Sequence, residues 1–315
     1  MFKILHKSLF LLFISLVFGF SKPLVSVSVP PQKHFVEKIA ANTLDINVII
    51  PAGADEHNFD FKPATMKKLE KSDIYFSIGL ELERVFIDKF QSNFKNLQII
   101  DTGKNLRNLK SSHTHSKDEH DEHHNHAGHD DHDHDEHAHG KDKHHTHKHS
   151  NSHESHSEKD PHIWLDPILV KTQAELIAKA LIAKYPQHKA LYEANLIKFQ
   201  AELDALNAEL SALFKGSKNK KFIIYHPSLA YFAARYHLVQ IPVEIEGKEP
   251  KAKDLQRLIS IAKKEKIKTI FVQKGFAQNA AKSLAKELNA RVVELNHLSE
   301  NYAKNLRQIA RELSQ

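Results

Sequence analysis

Residues 187–214, QHKALYEANLIKFQAELDALNAELSALF, run for 28 residues without a proline or a glycine. At 1.5 Å per residue, a helix of that length reaches about 42 Å. Its apolar positions Leu196, Phe199, Leu203, Leu206, Leu210 and Leu213 step by three and four, which draws one stripe along one face. Such a helix either pairs in a coiled coil or lies as a strut across two domains. The sequence on either side favours the strut.

Upstream, short runs at Leu24–Val29, Ile46–Ile50, Ile74–Ile78 and Leu97–Ile100 read as strands, with helical spacing over His34–Asn42, Lys62–Lys71 and Leu80–Phe90 between them. A further helix, Val170–Lys184, stops near Pro186. Downstream the alternation returns. Strands are expected at Lys221–Tyr225, Val239–Ile245, Thr269–Gln273 and Arg291–Leu295, and helices at Ser228–Tyr236, Lys253–Lys264, Asn279–Leu288 and Tyr302–Leu313. Strands that alternate with helices argue for parallel sheets, and short runs that are nearly all apolar suit strands buried on both faces. The expected fold is therefore α/β: two (β/α) lobes with parallel sheets, joined by one long rigid helix. The expected domains are an N-terminal lobe at 22–186, the linker helix at 187–215 and a C-terminal lobe at 216–315.

Residues 1–21 belong to neither lobe. A basic start, Met1 to Lys7, leads into Ser8–Phe20, which is almost wholly apolar. The run is shorter than the ~20 residues of a spanning helix, and the pattern is that of a secretory signal peptide cut after Ser21. An uncleaved anchor is the alternative. The chain has no cysteine, which excludes disulfides, cysteine-based zinc sites and the lipid-bearing cysteine of a lipoprotein. The periplasm is the expected location.

The formal net charge of +6 conceals a segregation. Residues 112–156 hold eleven carboxylates and four lysines, so the rest of the chain is basic. Its lysines are scattered along helices with no aromatic interleaving, which reads as a solvated surface and not as a nucleic-acid footprint. The acidic tract also carries His113, His115, His120, His123, His124, His126, His129, His132, His134, His137, His139, His144, His145, His147, His149, His153 and His156. No periodicity runs through it, so disorder is expected. Imidazole is a ligand for zinc, copper and nickel, so the tract should bind such metals loosely and in many geometries. An expression tag and a pH sensor are the alternatives.

Directly after the tract stands Asp160-Pro161-His162-Ile163-Trp164-Leu165-Asp166-Pro167, with the only tryptophan in the chain. Two prolines stiffen the segment and keep each preceding Asp out of the helical region. It therefore presents one imidazole, His162, at a fixed place. His57 and His226 each follow an apolar strand closely, at Pro51-Ala52-Gly53-Ala54-Asp55-Glu56-His57 and Tyr225-His226-Pro227. Ligands of open parallel sheets bind beyond the carboxyl ends of the strands, where two facing lobes bring these three histidines together. Three neutral imidazoles suit zinc. His34, His188 and His237 lack such a setting and read as surface residues.

These three segments, with Tyr231-Phe232-Ala233 after the last, resemble the solute-binding proteins of zinc and manganese ABC transporters, and most closely the periplasmic zinc-uptake members. The resemblance spans essentially the whole chain after residue 21. It implies two lobes on one rigid helix, Zn2+ as the bound ion, and metal ligands at His57, His162 and His226. It also implies a monomer that delivers its ion to an inner-membrane permease driven by an ATPase. Manganese members carry a carboxylate where His226 stands, which favours zinc. One motif departs from the family. Asn296-His297-Leu298 stands where Asp-Pro-Leu is usual, so the fourth position falls to Glu56 or water ahead of a shifted His297. Gln273 likewise stands where Glu is expected. Other readings are a manganese or nickel carrier, a free-standing zinc buffer or chaperone, and a zinc hydrolase using a metal-bound water.

Overall fold

A computed structural model describes residues 22–108, 159–217, 220–245, 247–276 and 278–315. The expected signal peptide, residues 1–21, and the seventeen-histidine tract lie outside the described residues.

The first sheet takes β1 (Leu24–Val27), β2 (Asp45–Val48), β3 (Ile74–Ser77) and β4 (Gln98–Asp101) in the order β2-β1-β3-β4. The second takes β5 (Lys221–Ile224), β6 (Val239–Pro242), β7 (Thr269–Gln273) and β8 (Arg291–Leu295) in the order β6-β5-β7-β8. Every pairing between these strands is parallel. All of β3 is buried, as are the last three residues of β1 and of β5, which is why these strands read as unbroken apolar runs. In each sheet the central strand sends its chain to one side and the next strand to the other. The crevice at such a reversal is where a ligand fits.

Helices α1 (Pro30–Ala40), α2 (Pro63–Glu70) and α3 (Glu81–Asn93) serve the first sheet. Then come α4 (Pro167–Lys184) and the long α5 (Lys189–Phe214), separated by a single 3-10 turn at Pro186–His188. The second sheet has α6 (Ala230–Arg235), α7 (Ala252–Lys264), α8 (Asn279–Leu288) and α9 (Tyr302–Leu313). Several expected elements start or stop a few residues away from where they form. α1 begins at Pro30 and not at His34, because a proline at the first helical position lacks only an N–H that would be unpaired there anyway. The Gln32 carboxamide oxygen also accepts the Ser28 backbone N–H at 3.0 Å, which ties the helix start to the end of β1.

α5 is 26 residues long and buries Tyr192, Phe199, Leu203, Leu206, Leu210 and Phe214. The coiled-coil alternative gives way to packing within the chain, against α1, α4 and α9. The stripe differs from the expected one at its end, where Phe214 turns inward and Leu213 is 40% exposed. A single core runs from Val25 and Phe35 in the first lobe, along Leu203 and Leu206 of the strut, to Phe232 and Leu306 in the second. Among the described residues, the far face of the second sheet keeps a separate cluster, around Ile223, Val272 and Leu284. Polar ties reinforce the junction. Arg235 of α6 bonds the Asp166 carboxylate at 2.9 Å, and that carboxylate also caps α4 by accepting the Ile168 N–H at 2.8 Å.

Candidate metal centre

Four strand ends, those of β2, β5, β7 and β8, and the Pro-framed segment meet in the cleft. The first loop follows β2. Asp55 accepts the His57 backbone N–H at 2.9 Å and the Asn58 side-chain N–H at 2.7 Å, an Asx turn that fixes the loop tip. His57 is half-buried there, while the neighbouring Glu56 turns inward and is 1% exposed.

His162 opens the 3-10 turn Ile163–Leu165. Asp160 accepts its backbone N–H at 2.8 Å and its ring Nδ1–H at 2.7 Å. The Trp164 ring packs beside it with centroids 5.1 Å apart. His226 follows β5, and its Nδ1–H donates to Glu244 at 2.7 Å. Gln273, at the end of β7, accepts the His226 N–H at 3.1 Å and donates to the His226 carbonyl and to Ser228. The Phe276 ring stacks on His226, 4.8 Å between centroids at 22°.

A carboxylate only accepts hydrogen bonds, so Asp160 and Glu244 each hold the proton of their histidine on Nδ1 and leave Nε2 to face the cleft. The Nε2 atoms of His57 and His226 are 3.1 Å apart, those of His226 and His162 3.4 Å, and His162 Nε2 lies 3.2 Å from Glu56 Oε1. Ligands about 2.0–2.1 Å from a tetrahedral zinc stand roughly 3.3 Å from one another. Glu56, His57, His162 and His226 each offer one ligand atom, all within 4.8 Å of one another. Glu56 Oε2 and His297 Nδ1 are buried with no hydrogen-bond partner among the described residues. The donor set therefore fits a small divalent cation.

Titration behaviour agrees with that fit. Burial opposes charge on His162, but Asp160 and Glu56 outweigh it and push the ring up to about 9. Burial likewise opposes the Glu56 carboxylate, and the His297 and His162 rings overcome it, holding the group well below the ordinary carboxylate range. His226 is held well below the usual histidine value by burial and by the His162 and His57 rings. Burial and charge thus favour a negative Glu56 beside a positive His162 ring.

The three histidines and Glu56 named from the sequence come together. Asn296 does not join them. Its side chain accepts the Leu298 N–H at 3.2 Å and so spends its oxygen on its own loop. His297 reaches the edge of the group, with Nε2 2.7 Å from Glu56 Oε1. Glu244, Gln273 and Phe276 support His226, and of these the sequence draws notice only to Gln273, as a departure from the expected Glu. Their signal is the strand register: Ile224 pairs with Pro242, so Glu244 falls beside His226. His34 is a correction, since it is half-buried and not on the open surface. It packs among Phe35, Phe199 and Tyr302, and burial, with Lys38, pushes it down to about 4. His188 lies against Tyr192. A cleft of 630 Å³ opens in front of the cluster, lined by His57, Arg84, Lys159, His226 and Glu244 among others.

Residues 25–315 match the model of the family described as ZnuA, zinc-uptake complex component A, periplasmic. A crystal structure of ZnuA is similar at 32% identity over 93% of this chain and 98% of that one, with a TM-score of 0.77. A ZnuA deletion mutant crystallised with zinc bound is similar at 32% identity, 93% and 97% coverage and a TM-score of 0.76. The zinc-binding protein AdcA of Streptococcus pyogenes is 27% identical over 272 residues, 85% of this chain and 49% of its own. The chain thus spans about half the length of that relative.

Proposed function

The chain belongs to the family of periplasmic zinc-uptake components, and from that premise we propose that it captures Zn2+ at Glu56, His57, His162 and His226 and passes the ion to a membrane permease driven by an ATPase. The observation that carries this reading is the spacing of the four donors, 3.1 to 3.4 Å between neighbouring ligand atoms, with the tautomers of His162 and His226 held by Asp160 and Glu244. Three imidazoles with one carboxylate favour zinc over manganese, which prefers oxygen. Four protein donors leave no open position for a reactive water, which separates a carrier from a zinc hydrolase.

The rest of the reading follows the chain. Residues 1–21 direct export and are removed, and a chain without cysteine carries no lipid there. The lobes 22–186 and 216–315 close on the ion about the helix 187–215. The acidic histidine tract collects zinc when it is scarce and keeps it at high local concentration beside the cleft. The test is zinc titration of single alanine variants of His57, His162 and His226, made in a chain lacking residues 113–156 so that the tract does not mask the loss. Each should lose the one tight site. Unchanged tight binding in any one of them removes that residue from the site.

A further inference from the structure

His297 occupies the loop after β8 and is 2% exposed. That loop is pinned from several sides. The Trp164 indole N–H donates to the His297 carbonyl at 2.9 Å, and the Asn305 carboxamide donates to the Asn296 carbonyl at 2.7 Å. The Phe276 ring meets the imidazole edge-on with centroids 5.8 Å apart. Held in this way, His297 aims Nε2 at Glu56 Oε1 from 2.7 Å. An ionised carboxylate accepts and cannot donate, so the proton of this bond sits on the imidazole. Glu56 Oε1 thus takes the His297 bond on the side away from the cleft while still facing His162 Nε2 at 3.2 Å, whereas Oε2 has no partner among the described residues.

A carboxylate coordinates through one oxygen or through two. Two-oxygen coordination centres the ion between both oxygens and turns the group, which pulls Oε1 away from His297. Ions that take six or more ligands, with oxygen favoured, gain from the second oxygen, while four-coordinate zinc does not need it. We infer that His297 is a positioning residue that restricts Glu56 to one-oxygen coordination and thereby sets the preference for four-coordinate Zn2+ over larger, oxygen-seeking divalent ions such as Mn2+. This rests on the proposed ligand set. It makes the replacement of the usual Asp-Pro-Leu by Asn296-His297-Leu298 a selectivity device and not merely a lost ligand.

The experiment compares the full chain with His297→Leu, which lacks the donor, and His297→Gln, which keeps an N–H of similar reach. Zinc and manganese affinities are measured by chelator competition for the tightest site. One equivalent of Co2+ serves as a spectroscopic probe, because its visible absorption is intense in four-coordinate sites and weak in six-coordinate ones. In His297→Leu, zinc affinity should fall about 10–100-fold, as for other groups that orient a ligand. The zinc-to-manganese ratio should narrow and the cobalt band should weaken. His297→Gln should restore both the ratio and the band, which a merely structural role would not predict. His297→Leu with an unchanged ratio and an unchanged cobalt band overturns the inference. So does a zinc absorption spectrum of the wild type that counts four imidazoles, since His297 is then itself a ligand. His57→Ala measured alongside separates the two levels. If it leaves the tightest site intact, the ligand set fails; if it abolishes that site while His297→Leu changes nothing, only the role of His297 fails. Should His297→Leu melt far below the wild type without metal, His297→Asn, whose shorter side chain falls short of Glu56, takes its place with the same expected loss.

Discussion

The two sheets have the same strand order and direction, yet they load the cleft from different positions. β1 and β5 are the central strands at equivalent places. After β5 stands His226, aimed into the cleft by Glu244 and Gln273. After β1 stands Ser28, whose hydroxyl is used internally on Tyr75 and Glu83. The loops after β3 and β7 differ in the same sense. In the first lobe the buried Glu83 carboxylate accepts the N–H groups of Ile78, Gly79 and Leu80 at 2.5 to 3.1 Å and ties the loop to its own lobe. In the second lobe Gly275 presses against the Gly53 backbone of the opposite lobe. The first lobe therefore supplies Glu56 and His57 from the longer loop of an edge strand, and the second supplies a rigid, buried histidine from its centre. One topology serves both lobes; the polar residues at the strand ends decide which lobe is the anvil and which the reaching arm.

The sharpest test of that asymmetry removes the proposed ligands themselves. His226→Ala should weaken the tight zinc site by more than the roughly 100-fold upper range for loss of a supporting partner, because it removes a proposed ligand and opens a gap beside the buried Glu244 that holds it. His57→Ala, on the half-buried arm, should cost less than His226→Ala, as read by chelator competition. Equal losses would erase the distinction between anvil and arm.

The supports come next. Glu244→Gln and Asp160→Asn each put a carboxamide where a carboxylate fixed the tautomer, and about 10–100-fold weaker zinc binding is expected from each. Isothermal titration of the two variants checks it, and full wild-type affinity in either would mean that its histidine is held by packing alone.

Contact between the lobes is tested by Gly275→Ala. A Cβ there would lie 2.4 Å from the Gly53 carbonyl oxygen, on a backbone with φ of +94°. Gly216→Ala is the reference, since its φ is +91° but nothing lies within 4 Å. Alanine at a positive-φ site costs on the order of 1 kcal/mol from strain alone. The melting temperature of the metal-free protein should fall in both variants and fall further for Gly275→Ala. Identical shifts would show that the lobes do not touch there in solution.

The smallest expected effect is a pH dependence seated in the first lobe. α1 follows β1 and carries His34, whereas α6, in the equivalent place after β5, carries no histidine. His34 is pushed down to about 4 in the folded chain, by burial first, against about 6.5 when unfolded. Above 6.5 both states are neutral there. Between 6.5 and 4 the unfolded state binds a proton that the folded state does not, so stability falls as pH drops through that window. His34→Gln should flatten that part of the melting-temperature profile, and an unaltered slope would place the dependence elsewhere.

Much of this arrangement is legible in the sequence, for definable reasons. Apolar strands alternating with helices specify parallel sheets, and the proline- and glycine-free run at 187–214 specifies the strut. The histidines announce themselves because each stands just past a strand or between prolines. Glu244 could not be seen in the same way, since its place beside His226 depends on the register of β5 and β6. His34 misled because a histidine on a helix carries no mark of the aromatic rings that another helix brings to it. Leu213 and Phe214 exchanged places because the stripe of a long helix drifts relative to a fixed step of three and four. The partnership of His297 with Glu56 joins positions 241 apart in the chain, and only the folded cleft reveals it.

The central claim is one zinc ion held by one carboxylate and three imidazoles across the lobes. Crystals of the zinc-loaded protein, with anomalous scattering recorded at the zinc edge, test it most directly. The account predicts a single strong peak inside the cleft, about 2.0–2.1 Å from Nε2 of His57, His162 and His226. One oxygen of Glu56 should complete the tetrahedron, and His297 should remain bonded to Glu56. A peak ligated by His297 in place of Glu56, or one lying outside the cleft, would contradict it.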